Sequence, residues 1–278
     1  MKKGVFQISF DEYLKLEGIN KSGLDDLKRS PLHYYSRHLD KNREPRTETP
    51  AMRLGKAIHV AILEPDKFPR LYIGAPHGMD RRTKEGKAIF AELEATQKII
   101  LTDDELQACI RIASNVRTNA AASILLEEGT GKSEQSLCWV DKEFGLQCKA
   151  RLDWLSDDFG IVVDPKSTED ASSEEFRRSV VRYGYHRQAA WYLDAVEAVT
   201  GKRPGLFVFA VFEKTAPYAC AFYQPDSEAI TRGREENRHL LKIYNKCVTT
   251  GSWPGFSDEI QPIGLPAWYG ADKKLEEY

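Results

Sequence analysis

The chain has 278 residues, 41% of them hydrophobic and 29% charged, with a net charge of −2. This composition predicts a soluble globular protein with ample sequence for a core, and no apolar stretch approaches the ~18 residues of a membrane-crossing helix. A charge near zero argues against broad, nonspecific coating of nucleic acid, but it leaves room for a local basic channel. The opening run, MKKGVFQISFDEYLKLEG, lacks the apolar core of a secretory signal. The five cysteines (Cys109, Cys138, Cys148, Cys220 and Cys247) are odd in number and include no CxxC pair. Neither a disulfide framework nor a zinc site is predicted, and a reducing cytoplasm fits.

In chain order, residues 20–39 read as two short helices joined at Ser30-Pro31, with Ser30 as cap and Pro31 in the first turn. Residues 51–63 read as a helix stopped by Pro65, and residues 76–87 as a polar, basic loop or insertion. Residues 88–126 are predicted mainly helical, with a capping-box start at Thr102. Three strands follow at 134–141, 146–156 and 160–166. Ser172 opens a helix, and a second helix covers 185–200, ending at Gly201. Two more strands are predicted at 205–214 and 218–225, then a long charged helix at 226–250 and an irregular tail at 251–278. The order predicts an α/β or α+β fold with a central mixed β-sheet flanked by helices. The expected layout is one domain over 1–278: a helical part at 1–130, a core at 131–225, and the last helix with its tail at 226–278.

The middle of the chain carries the chemistry. One strand delivers Asp153, and a buried apolar strand, GIVV, ends in Asp164-Pro165-Lys166. Two carboxylates and an ammonium on the ends of neighbouring strands suit a hard cation such as Mg²⁺ and an activated water. A lysine beside the ion can orient that water and offset charge on a scissile phosphate. Four further residues are candidates to join them. His59 shares a helix face with Gly55, where a glycine would allow close approach of another backbone. Glu134 begins the preceding strand, and Gln188 and Tyr192 stand at i and i+4. Singly, each is ordinary: a satisfied histidine, an edge charge, a helix surface. Their order gives the pattern its weight.

Gly55-x-x-x-His59, Glu134, Asp153, Asp164-Pro165-Lys166 and Gln188-x-x-x-Tyr192 resemble the ordered motifs of RecB-family PD-(D/E)xK nucleases. Within that superfamily, SGLDDLKRSPLHYY, RLGKAIHVAILEPDKF, SEQSLCW and HRQAAWYLDAV resemble RecE-type exonuclease VIII of prophages, over residues ~18 to ~245. The resemblance implies a five-strand mixed sheet and Mg²⁺-dependent 5′→3′ digestion of linear duplex DNA from its ends. The 3′ single strands left would pass to a single-strand annealing protein, and relatives assemble as rings, so a homo-oligomer is implied, in the cytoplasm of a bacterial or phage-infected cell. By the same resemblance, Asp153 and Asp164 hold the metal, His59 is an additional ligand, and the Pro165 carbonyl completes the shell. Lys166 positions or activates water, Gln188 and Tyr192 support the site and contact DNA, and Glu134 lines it. Proline at 165 departs from the usual aliphatic residue; it keeps the carbonyl but loses an N–H, which puts strand pairing there in question. A histidine in the ligand set suits Mn²⁺ as well as Mg²⁺.

Basic residues predicted to track phosphates are Arg177, Arg178, Arg182, His186 and Arg187, then Lys149 and Arg151, then Arg81, Arg82, Lys84 and Lys87. Tyr34, Tyr35, Trp253 and Trp268 are candidates to separate a terminal base pair. Two other readings stand beside this one. Another RecB-family nuclease of the iron–sulfur type needs clustered C-terminal cysteines, and only Cys247 lies in that region; no Walker A motif supports a helicase motor. The other is a non-catalytic DNA-binding protein of the same fold, which the intact Asp153, Asp164 and Lys166 disfavour.

Overall fold

A computed structural model of the protein describes residues 3–44, 47–126 and 129–266; Trp268 lies outside them. The chain opens with β1 (Gly4–Phe6), α1 (Phe10–Lys15), α2 (Lys21–Arg29) and α3 (Pro31–Tyr34), which runs into a π-turn at Tyr35–Leu39. Next come α4 (Pro50–Leu63), α5 (Phe68–Leu71), β2 (Tyr72–Gly74), α6 (Lys84–Ala95), β3 (Ile99–Leu101), α7 (Asp103–Thr118) and α8 (Ala120–Leu125). The long strands follow: β4 (Gly131–Val140), β5 (Gln147–Ser156) and β6 (Ile161–Thr168). The chain then forms α9 (Ser173–Tyr183), α10 (Tyr185–Thr200), β7 (Leu206–Glu213), β8 (Cys220–Tyr223) and α11 (Ser227–Thr250).

Local chemistry sets these limits. The Ser30 side chain accepts from the His33 N–H with Pro31 in the first turn, and Thr102 and Glu105 form a reciprocal capping box on α7. Asp226 caps α11 by accepting from the Ala229 N–H. Gly184, at φ 64°, makes the sharp turn between α9 and α10.

The main sheet has six strands in the order β1-β4-β5-β6-β7-β8, and β2 and β3 form a separate parallel pair. Only β6 and β7 run parallel in the main sheet. A parallel pair needs a crossover connection, and α9 and α10 supply it, which carries α10 across one face of the sheet. On that face Leu152, Val162 and Phe209 pack with Leu24, Ala189 and Leu241 of the helices. On the other, Phe212 joins Ile58 of α4 and Ile112 of α7. The predicted fold class holds: a central mixed sheet between helices. Some details differ. The sheet has six strands rather than five, because β1 adds to its edge; the 76–87 loop ends in the first turn of α6; and β3 interrupts the predicted helical stretch. No helix of the described residues is long and apolar enough to cross a membrane.

Candidate active site

β5 and β6 pair through Leu155↔Val162 and Trp154↔Val163 and then part. Continuing that register sets Asp153 opposite Asp164 at the mouth of the fork. Beyond this point β5 keeps β4 as its partner and β6 keeps β7. Strand hydrogen bonds do not fill the gap, and two carboxylates occupy it. The β6–β7 ladder runs unbroken past Pro165↔Ala210. On the other side β5 has already left, so the missing proline N–H disrupts no pairing.

Each neighbour arrives from a different element. Lys166 lies two residues beyond Asp164, on the same face of β6; its Nζ pairs with Asp164 Oδ2 and lies 4.8 Å from the Tyr185 ring centre. From α10, Gln188 Nε2 donates to Asp164 Oδ1 at 2.9 Å and to the Tyr192 hydroxyl at 3.1 Å. From α4, His59 Nδ1 stands 3.7 Å from Asp153 Oδ1. Glu134 faces Asp153 in the β4–β5 register, where the ladder skips a pair. Its φ of 56° is left-handed, a conformation costing a non-glycine residue ~1–2 kcal/mol. Arg151 fixes its carboxylate at 2.6 Å and is itself held by the Ile8 carbonyl and Ser136 Oγ.

His59, Glu134, Asp153, Gln188 and Tyr192 line a cleft of about 610 Å³, together with Lys21 and Lys56. A larger depression of about 690 Å³ lies beside Arg117 and Trp154 and contains neither acid of the pair, so chemistry rather than size selects the site. Lys21 and Lys56 were not singled out in the sequence. Lys56 adjoins Gly55 in the Gly-x-x-x-His run, and Lys21 opens the predicted helix; both signals were present, but only packing shows which way they face. The structure also corrects the reading of Gly55: a side chain there would meet open space, so no close backbone approach requires the glycine.

Burial and mutual charge set the protonation. Burial pushes Asp164 up to about 6, against the pull of Lys166 and with a further push from Asp153. Asp153 is also desolvated, but His59, Lys166 and a hydrogen bond from Asp164 bring it below the ordinary carboxylate value. The two acids thus act as one coupled pair. For His59, burial disfavours the imidazolium, yet the Asp153 carboxylate outweighs it and raises the pKa. Lys166 likewise gains more from Asp164 and Asp153 than burial costs, and stays an ammonium. Burial and Asp153 raise Glu134 despite Arg151.

A divalent cation fits this donor set. Two desolvated carboxylates face each other, and Asp164 Oδ2, though beside Lys166, has no well-directed hydrogen bond. Hard oxygen donors suit Mg²⁺ and Mn²⁺. The ligand atoms of His59, Asp153 and Asp164 do not all lie within 4.8 Å of one another; among the described residues those of His77, Asp103 and Asp104 do, at the surface. His59 therefore stands as a neighbour of Asp153, not as the third corner of a closed set.

The basic residues divide sharply. Lys149 is buried, and its ammonium donates to the carbonyls of Tyr13, Leu14 and Leu16 at the end of α1. Arg187 is buried beside Asp25 and Glu236, and Arg151 is committed to Glu134. Lys149 and Arg187 are thus held inside the protein, which corrects their reading as phosphate contacts, while Arg151 stands on the cleft wall with Glu134. His186 is drawn toward Glu236, Arg178 pairs with Glu174 and Glu175, Arg82 pairs with Asp80, and Arg81 covers the Phe90 ring. Arg177, Arg182, Lys84 and Lys87 remain exposed. Tyr34 is buried and stacks on Trp253 at 5.5 Å, so neither is free to enter DNA.

The crystal structure of a "putative exonuclease" from Eubacterium rectale shares the fold, with a TM-score of 0.60 and 14% identity over 87% of this chain and 88% of that one. A phage related exonuclease from Haemophilus somnus 129PT aligns over 70% of this chain and 95% of its own at 12% identity, with a TM-score of 0.32, too loose to argue from. None of the curated proteins compared matches the chain. A family match does cover most of it: the chain belongs to the family described as the PDDEXK-like domain of unknown function (DUF3799), over residues 21–265.

Proposed function

We propose that the protein is a divalent-metal-dependent exodeoxyribonuclease that digests linear duplex DNA from its 5′ ends and leaves 3′ single strands. The observation that carries the hydrolytic reading is the Asp153–Asp164 pair at the strand fork with Lys166 against it. Mg²⁺ or Mn²⁺ bound by those carboxylates supplies a water that is nucleophilic near neutral pH and offsets phosphate charge. The chain's own residues do the positioning. Gln188 ties down Asp164 Oδ1, and Oδ2 lies against the Lys166 ammonium. Lys166 keeps a fixed positive charge beside the place where phosphate charge develops. Glu134, clamped by Arg151, sets a further carboxyl beside Asp153 on the cleft wall, and His59 favours the ionised form of Asp153.

The polarity, a ring-shaped homo-oligomer, hand-over to a single-strand annealing protein and a cytoplasmic setting rest on the RecE-type resemblance of the quoted motifs. A duplex labelled at one 5′ end, with the 5′ end of the opposite strand blocked, tests the polarity. With Mg²⁺, labelled mono- or short oligonucleotides should appear while the opposite strand persists, and covalently closed circles should survive. Efficient cutting of circles would point to an endonuclease of this fold; release from the 3′ end would remove the RecE-type polarity.

A further inference from the structure

The first helix is held firmly and is apolar where it meets the cleft. α1 has six residues, too few to be stable alone, and it is pinned at both ends. At its start Ser9 and Glu12 form a reciprocal capping box. At its end the buried Lys149 ammonium donates to the carbonyls of Tyr13, Leu14 and Leu16, despite the desolvation cost of a buried charge. Tyr13 faces the core. Phe10 and Leu14, one turn apart on one face, line the cleft and remain 47% and 55% exposed.

The Phe10 ring has cations beside it. Lys56 Nζ lies 5.5 Å and the Arg151 guanidinium 6.0 Å from its centre. Arg151 stands two residues before Asp153 on β5, and Lys56 one turn before His59 on α4, so both tie the ring to the Asp153 end of the cleft. Arg151 is held by Glu134. Lys56 pairs with Glu48 in an exposed ion pair, a contact worth no more than ~1 kcal/mol, which a phosphate can displace. A fixed apolar shelf facing water beside such a cation suits a flat, apolar face carried on a phosphate backbone, the pairing by which aromatic side chains hold bases. In duplex DNA only an end shows such a face, because inner pairs are covered on both sides by their neighbours.

We propose that Phe10, with Leu14 beside it, is an end-stacking shelf: it takes the outer face of the terminal base pair of linear duplex DNA, while Lys56 takes a phosphate of that end. The proposal rests on the nuclease reading and deepens it, because it assigns the selectivity for DNA ends to Phe10, Leu14 and Lys56.

Fluorescence anisotropy in EDTA, where no metal-dependent turnover occurs, tests this with two internally labelled duplexes of one sequence, one blunt at both ends and one closed at both ends by hairpin loops. The wild-type protein should bind the open-ended duplex more tightly. Phe10→Ala should weaken binding of the open-ended duplex ~tenfold, the scale of one lost stack, with the closed duplex and the unfolding midpoint unaffected. Phe10→Tyr, which keeps the ring, should bind like wild type, and Leu14→Ser should shift the preference in the same direction as Phe10→Ala. No preference of the wild-type protein for the open-ended duplex, wild-type affinity in Phe10→Ala, or equal loss on both duplexes would each overturn the shelf. Binding is read without catalysis, so a protein that selects open ends but hydrolyses no DNA with Mg²⁺ or Mn²⁺ would refute the nuclease reading and leave the shelf standing.

Discussion

Asp153 and Asp164 stand opposite each other where β5 and β6 separate, one residue beyond the last pair of that ladder. The position explains why two acids can lie so close. A continuous ladder would have consumed the backbone groups around them and closed the gap. The fork instead leaves two desolvated carboxylates facing each other, and Asp164 keeps its proton up to a pH of about 6.

The first prediction follows from that proton. Asp164 has a folded pKa of about 6, above its unfolded value, so the folded state holds the extra proton between the two values. This group's contribution to stability is full below the unfolded pKa and is lost as pH rises through about 6. A cation needs both acids ionised, so its binding runs the other way. Mn²⁺ should raise the unfolding midpoint clearly at pH 7.5 and much less at pH 5. Equal stabilisation at both would place the cation elsewhere.

Lys166→Ala removes a fixed charge but no metal ligand. Turnover on duplex DNA should fall ~10²-fold or more, while calorimetry still shows Mn²⁺ binding. Loss of metal binding along with activity would make the lysine a structural counter-ion of Asp164.

His59 gives a two-way test. If its contact with Asp153 serves the metal, His59→Ala should raise the Mn²⁺ concentration needed for half-maximal activity with little change in unfolding midpoint. A lowered midpoint with unchanged metal dependence would make it a packing histidine.

Gly55 faces open space within α4. Gly55→Ala should stabilise the fold by ~0.5–1 kcal/mol, the helix-interior preference for alanine, as read from denaturant midpoints. Destabilisation would show that the backbone there needs a freedom this structure does not reveal.

Sequence patterning made the long elements legible. Thr102 and Ser30 are caps whose chemistry is local, and the apolar run before Asp164 identifies a buried strand wherever it sits. The three-residue strands β1, β2 and β3 are too short for any periodicity to register. The fork itself is a matter of register between two strands, which neither strand encodes alone. Charge was read least well. Lys149, Arg151 and Arg187 look like a basic patch on paper, but each is drawn inward by carbonyls or carboxylates from distant segments, Tyr13 to Leu16, Glu134, and Asp25 with Glu236. Only the fold shows which cations are spent and which, such as Arg177 and Arg182, face solvent.

The central claim is that the Asp153–Asp164 pair drives metal-dependent hydrolysis of DNA, and one comparison tests it most directly. Wild-type protein and Asp164→Asn, each shown to be folded by circular dichroism, are incubated with linear duplex DNA and Mg²⁺, with EDTA as control. The amide cannot neutralise a cation at the fork, so the variant should lose at least ~10²–10³-fold in rate, while the wild-type protein degrades the duplex only when the cation is present. Near-wild-type degradation by folded Asp164→Asn, or wild-type degradation unaffected by EDTA, would contradict the account.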